Sequence, residues 1–171
     1  MKILSLETSA KQFSLAVSDG GKVLKSRKMV LDKVLSDSIV PAIEKILKDS
    51  KLPLAQIDAL VVGLGPGSFT SLRVGLSTVK GLAFAADKPV IGVPSLDAVA
   101  LNAGETPSQL CVIADAKRNM VYAALYENKK GSLKRKSEYL LTPLADLLGR
   151  IEADTIFVGD AVKLYQPDIE S

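Results

Sequence analysis

Val61-Val62-Gly63-Leu64-Gly65-Pro66-Gly67-Ser68-Phe69-Thr70-Ser71 is the stretch on which the fold turns. It joins two apolar segments of different kinds. Ile57 to Leu64 is a continuous apolar run, the pattern of a strand covered on both faces. Ser71 to Ala86 is rich in Leu, Val, Ala and Gly and is long enough for a helix. A glycine-rich turn between a buried strand and a helix N-terminus leaves backbone N–H groups and the positive end of the helix dipole facing outward, which favours an anion. No Gly-Lys-Ser/Thr follows, so the turn is not a Walker A loop. Its glycine spacing is not that of a dinucleotide fingerprint either. Two readings stay open: a phosphate or nucleotide contact, or a tight crossing whose glycines permit close packing.

Upstream, Lys2 to Glu7 reads as a buried strand ending in a carboxylate, and Phe13 to Ser18 alternates. Asp19-Gly20-Gly21 is a hairpin turn, because glycine tolerates the positive φ it demands, and Lys22 to Lys28 is the return strand. Leu35 to Lys48 has helical spacing, with Leu35, Ile39, Ile43, Ile46 and Leu47 in one stripe. Pro41 predicts that this helix either starts later or kinks. Downstream, Lys88 to Val93 reads as a strand, and Pro94-Ser95 starts a helix over Leu96 to Ala103 with Ser95 as N-cap. The order is β-β-β-α-β-α-β-α. A polar, Pro-containing break follows at Gly104 to Ser108.

The pattern then begins again. Leu110 to Ala114 is an apolar strand ending at Asp115, Met120 to Tyr126 alternates, Asn128 to Ser132 turns, and Leu133 to Leu140 returns. Thr142-Pro143 starts a short helix, Leu144 to Ile151, with Thr142 as N-cap and Pro143 in the first helical position. Thr155 to Val158 is a further strand, completing β-β-β-α-β. Ile3-Leu4-Ser5-Leu6-Glu7-Thr8-Ser9-Ala10 also parallels Cys111-Val112-Ile113-Ala114-Asp115-Ala116-Lys117-Arg118. Repeated order and echoed residues predict an α/β protein made by internal duplication. Residues 1–103 form a first lobe, and residues 109–171 a second, incomplete one.

Composition narrows the chemistry. The 171 residues contain no His and one Cys. That excludes Ser-His-Asp or Cys-His catalysis, His-ligated metal and an intramolecular disulfide within the chain. The net charge of +3 does not argue for nucleic acid. The basic cluster Lys129, Lys130, Lys134, Arg135 and Lys136 reads first as a solvated hairpin and second as an RNA-facing patch. No apolar stretch has the ~20 residues of a membrane span. A start without a signal-peptide pattern leads to the expectation of a soluble cytoplasmic protein.

Three features carry candidate function. Glu7, Thr8 and Ser9, the loop residues Gly65, Gly67 and Ser68, and Asp115 could form a metal-nucleotide site between duplicated lobes. Equally, each carboxylate could simply cap a turn. The Ser71 to Ala86 segment carries small residues at Ser71, Gly75, Thr78, Gly81 and Ala85, although Gly inside a helix costs ~1 kcal/mol relative to Ala. A helix apolar all round should be buried on more than one side, which points to a partner protein first and to burial within the monomer second. Cys111 reads as a core thiol, and Tyr122, Tyr126 and Tyr139 as half-buried strand residues.

Ile3 to Ser9, Gly65-Pro66-Gly67-Ser68-Phe69-Thr70 with Leu72-Arg73-Val74-Gly75-Leu76, Gly92-Val93-Pro94-Ser95-Leu96, and Asp115-Ala116-Lys117-Arg118 before Val121-Tyr122 together resemble the bacterial TsaB (YeaZ) family. The resemblance implies the actin/Hsp70/sugar-kinase (ASKHA) superfamily, with ribonuclease H-like lobes. It implies a non-catalytic scaffold and activator in tRNA N6-threonylcarbamoyladenosine (t6A) biosynthesis, at position 37 of ANN-decoding tRNAs. The partners implied are a TsaD-like catalytic paralogue, a TsaE-like ATPase, a second copy when the chain is alone, and tRNA only through the complex. No cofactor is required by the chain itself, while ATP or ADP at the partner interface fits the pattern. The partner surface implied is Leu35, Ser36, Ile39 and Ile43 on one helix, and Ser71, Leu72, Gly75, Thr78, Val79 and Leu82 on the next. The alternative is a small ATPase or kinase of the same superfamily, using Glu7 and Asp115 around Mg-nucleotide. Leu35, Ser71 and Asn119-Met120 depart from the family pattern, which often has His, Gly and Gly-Glu there.

Overall fold

The computed structural model describes residues 1–10, 12–30, 35–129, 132–151 and 153–170. It divides into two compact units, Met1–Ser95 and Leu96–Ser171.

The first unit holds strands β1 (Lys2–Glu7), β2 (Gln12–Asp19), β3 (Lys22–Val30), β4 (Ala59–Gly63) and β5 (Val90–Val93), and helices α1 (Leu35–Ser50) and α2 (Phe69–Ala86). The sheet order is β3-β2-β1-β4-β5. β1 pairs antiparallel with β2 and parallel with β4, with Leu6 opposite both Leu15 and Val62. Period-two alternation turns Leu4, Leu6, Phe13, Leu15, Val17, Leu60 and Val62 to one face. There they meet Ile39, Ile43, Ile46 and Leu47 of α1 and Val79 and Ala83 of α2. α1 lies against β2 and β3, and α2 against β4, β1 and β5. The helix through Pro41 is continuous. Pro41 stands on its exposed side, where the carbonyl that the missing N–H cannot serve reaches water.

Helix α2 begins at Phe69, two residues earlier than the sequence expectation. Ser68 is its N-cap, and the Ser68 hydroxyl accepts from the Ser71 N–H at 3.4 Å.

Helix α3 (Ser95–Asn102) starts on the last residue of the first unit and otherwise belongs to the second, which also holds strands β6 (Gln109–Asp115), β7 (Met120–Lys129), β8 (Ser132–Arg135), β9 (Leu140–Pro143) and β10 (Thr155–Val158), and helices α4 (Leu144–Leu148) and α5 (Val162–Ile169). The sheet order is β10-β6-β7-β8, with β9 also on β7. β6 pairs antiparallel with β7 and parallel with β10. That repeats the relation of β1 to β2 and β4. The expected duplicated ASKHA-like architecture is therefore present, and the second sheet has no counterpart of β5 among the described residues. β6 is buried on both faces. Cys111, Ile113, Leu144, Leu147 and Tyr165 form one core, and Leu96, Ala100, Leu110, Val112 and Tyr126 the other.

The two compact units divide between Ser95 and Leu96, and Leu96 and Ala100 of α3 join the core of the second unit. Two details differ from the sequence reading, and one expected turn lies partly outside the described residues. The single return strand expected over Leu133 to Leu140 is split into β8 and β9. The Ser137 hydroxyl accepts the Leu125 N–H at 3.0 Å and takes the place of a ladder bond between them. Thr142 lies buried in β9 instead of capping α4, and Pro143 is the N-cap. The expected turn over Asn128 to Ser132 includes 130–131, which lie outside the described residues.

Candidate functional site

The outward side of α2 exposes several large apolar side chains. Only Gly75, Val79 and Ala83 of this helix are buried. Phe84 is 92% exposed, Phe69 67% and Leu76 39%. At 3.6 residues per turn, Phe69, Arg73, Leu76, Ser77, Lys80 and Phe84 share one face. The Arg73 guanidinium lies 3.8 Å over the Phe69 ring. Beside this face an open groove of about 490 Å³ runs between Leu76, Lys80 and Phe84 of α2 and Val62, Leu64, Val90 and Gly92. Its lining is apolar apart from Lys80. The groove meets the free edge of β5, where Val90 and Ile91 are also exposed.

The residues expected on the partner surface divide. Leu35, Ile39 and Ile43 are not surface residues: they are buried in the first unit's own core, as are Gly75 and Val79. Ser36 is exposed, and Ser71, Leu72, Thr78 and Leu82 are half-buried. An apolar stripe at helical spacing marks the side that meets the sheet, so choosing the apolar positions of α1 selected the inner side. Phe69, Leu76 and Phe84, outside the expected set, are the large apolar side chains that α2 exposes. The two cations of α2, Arg73 and Lys80, mark its outer side in the sequence, and reading around them would have found all three.

The glycine loop and the β1 end form a closed knot. Glu7 accepts the Ser9 N–H at 2.7 Å on one carboxylate oxygen and the Ser95 hydroxyl at 2.6 Å on the other. The Ser95 hydroxyl in turn accepts the Gly65 N–H at 3.1 Å, so it is a tie between segments and not the expected helix cap. The Ser68 N–H donates to the Ser9 carbonyl at 2.9 Å. Gly63 and Gly67 are required by these approaches, since a Cβ at Gly63 would fall on the Glu7 carboxylate and one at Gly67 on the Ser9 carbonyl. Thr8 is buried and donates to the Ser71 carbonyl at 2.9 Å, so β1 is also tied to α2. Six of the residues expected to hold nucleotide are thus brought together, but Glu7, Ser9, Gly65 and Ser68 bond to groups of the chain itself.

Asp115, in the second unit, accepts the Lys117 N–H at 2.8 Å and pairs with the Lys117 ammonium. The hydrogen bond from the Lys117 ammonium to the Asp115 carboxylate, and then the charge of Asp115, raise the Lys117 pKa. Lys117, Arg118 and Asn119 are all in the left-handed region, with φ of 65°, 53° and 60°. Among the described residues no group of three His, Cys, Asp or Glu could hold a metal ion.

The basic cluster is partly engaged. Lys136 pairs with Glu127 at 3.6 Å, and Arg135 lies 3.8 Å over the Tyr139 ring. Lys130 and Gly131 lie outside the described residues. Tyr126 is buried and donates to Asp97 at 2.7 Å, with burial as the main cause of its raised pKa. Tyr139, more exposed than expected at 41%, donates to the same carboxylate at 2.8 Å. No helix among the described residues is long and apolar enough to cross a membrane.

Comparison with known proteins adds the following. The family model described as TsaD, tRNA N6-adenosine threonylcarbamoyltransferase, matches residues 30–169. A tRNA threonylcarbamoyladenosine biosynthesis protein TsaB from Bacillus subtilis is 30% identical over 173 residues, covering 99% of this chain and 76% of that protein. The TsaB protein of Haemophilus influenzae is 40% identical over 124 residues, covering 71% of this chain and 52% of that protein. The structure of YeaZ from Pseudomonas aeruginosa superimposes with a TM-score of 0.82 at 26% identity, covering 96% of this chain and 78% of that one.

Proposed function

The chain belongs to the TsaB family, and from that premise we propose that it is a non-catalytic subunit of the t6A-forming machinery, binding and activating a TsaD-like transferase. The observation that carries this reading is the outer face of α2. Large apolar side chains stay in water there, with Phe84 almost fully exposed. Leaving so much apolar surface hydrated costs about 25 cal/mol per Å², a cost that a partner would remove. The partner is a TsaD-like protein, the TsaE-like ATPase joins that pair, and tRNA is reached only through the complex. The chain itself requires no cofactor, and any ATP or ADP is held where the partner meets it.

The kinase alternative has less support. Glu7 would have to release both Ser9 and Ser95 before it could order a metal-bound nucleotide. The absence of His from the sequence leaves proton transfer to carboxylates, Lys or Tyr. The test is reconstitution: cognate TsaD-, TsaC- and TsaE-like proteins, tRNA, threonine, bicarbonate and ATP, with and without this chain. The proposal expects modified nucleoside only when the chain is present, and equal yield without it would refute the role.

A further inference from the structure

The outer face of α2 is charged with one sign only. It carries Arg73 and Lys80, two helical turns apart, and the helix contains no Asp or Glu. Between the cations lie Leu76 and Ser77, and beyond them Phe69 and Phe84. The neighbouring exposed side of α1 adds no net sign, because Asp37 and Glu44 are matched by Lys45 and Lys48 while Asp49 pairs with Arg27.

This pattern is nearly symmetric about the middle of the helix. When two copies of α2 pair antiparallel in the register that buries both phenylalanines, Phe69 of one copy meets Phe84 of the other. The same register sets Arg73 against Lys80, twice. Parallel pairing in full overlap sets Arg73 against Arg73 and Lys80 against Lys80. Apolar complementarity therefore permits a second copy, while charge opposes it in both orientations. A helix with carboxylates two turns apart, flanked by apolar side chains, satisfies both.

We propose that Arg73 and Lys80 are specificity-determining residues of this surface, which selects a partner helix bearing carboxylates over a second copy of the chain. This rests on the reading of α2 as the face that docks the TsaD-like protein. The phenylalanines supply the area and the cations supply the choice. Arg73 suits that task because its guanidinium already lies on the Phe69 ring, so closing the interface fixes few new torsions. Self-association remains available through the same phenylalanines, and is the weaker of the two.

The test measures two affinities by sedimentation at low and high salt: the chain with itself, and the chain with its cognate TsaD-like protein. The wild-type chain should self-associate more tightly as salt screens the facing cations, and should bind its partner less tightly. Arg73→Glu places a carboxylate opposite Lys80 of the second copy. It should tighten self-association about tenfold at low salt and weaken partner binding by about the same factor. Unchanged affinities for Arg73→Glu, or wild-type self-association that weakens with salt, would overturn the proposal. Phe84→Asp separates the two levels. If it abolishes partner binding while Arg73→Glu changes nothing, the charge rule fails and the docking face stands. If Phe84→Asp leaves partner binding intact, the docking face itself is wrong.

Discussion

The Ser95 hydroxyl donates to the Glu7 carboxylate at 2.6 Å while accepting the Gly65 N–H at 3.1 Å. Two residues far apart in sequence thereby close the end of β1, the glycine loop and the start of α3 into one network. Ser95 is 8% exposed and Gly65 is buried, so the bond between them lies away from water.

Ser95→Ala should destabilise the chain by about 1–3 kcal/mol, because it strands a carboxylate oxygen and a buried N–H together. Urea denaturation with a constant m-value measures this directly. A loss below the error of the extrapolation would mean that the network contributes nothing to the fold.

Gly75 faces the buried Thr8 hydroxyl, where an added Cβ would collide. Gly75→Ala should therefore cost about 1–3 kcal/mol, although alanine is the better helix former. Thr8→Ala should return part of that cost, because it removes the atoms in the way. A double-mutant cycle reads the coupling, and strictly additive losses would show that the two residues do not meet.

The three left-handed residues between β6 and β7 store backbone strain that glycine would relieve. Asn119→Gly should raise stability by up to about 1 kcal/mol, and Asn119→Val should lower it by about 1–2 kcal/mol. Thermal melts of the two variants should move in opposite directions. Parallel shifts would contradict the positive φ at this position.

Burial pushes the Cys111 thiol up from 9.0 to about 12, and the Tyr126 phenol is raised as well, chiefly by burial. The unfolded chain gives up these protons at lower pH than the folded chain does. Their contribution to stability is thus fully present below about pH 9 and is lost as pH rises toward 12. Cys111→Ala should flatten the alkaline part of the stability curve relative to its own value at neutral pH. A slope unchanged in the variant would assign the loss to other groups.

The sequence made the order of elements legible where one period dominated. The β4 run, the glycine turn and α2 were read in place, and the hairpin at Gly20-Gly21 followed from its turn chemistry. Legibility failed where side chains outside the local pattern decide the outcome. Ser137 interrupts the strand between β8 and β9 by offering its hydroxyl to Leu125, which no alternation reveals. α5 was missed because Pro167 and a polar run mask its few apolar positions. The candidate site divided in the same way. Glu7, Thr8, Ser9 and the glycine loop lie together in the first unit, Asp115 belongs to the second, and the bonds that close the first group on itself depend on Ser95 arriving from another segment. On α1 the apolar stripe marks the side that meets the sheet, with Leu35, Ile39 and Ile43 buried in the first unit's core.

The outer face of α2 and the Glu7 carboxylate are the two places where the function could reside, and one assay separates them. The most direct measurement is the yield of t6A on tRNA in the reconstituted system, with Phe84→Asp and Glu7→Gln each replacing the wild-type chain after circular dichroism has established that both are folded. Phe84→Asp should fail to support modification, and Glu7→Gln, which keeps its place beside Ser9 and Ser95, should support it nearly as well as wild type. Full activity with Phe84→Asp and none with Glu7→Gln would contradict the proposed role and move the function to the Glu7 site.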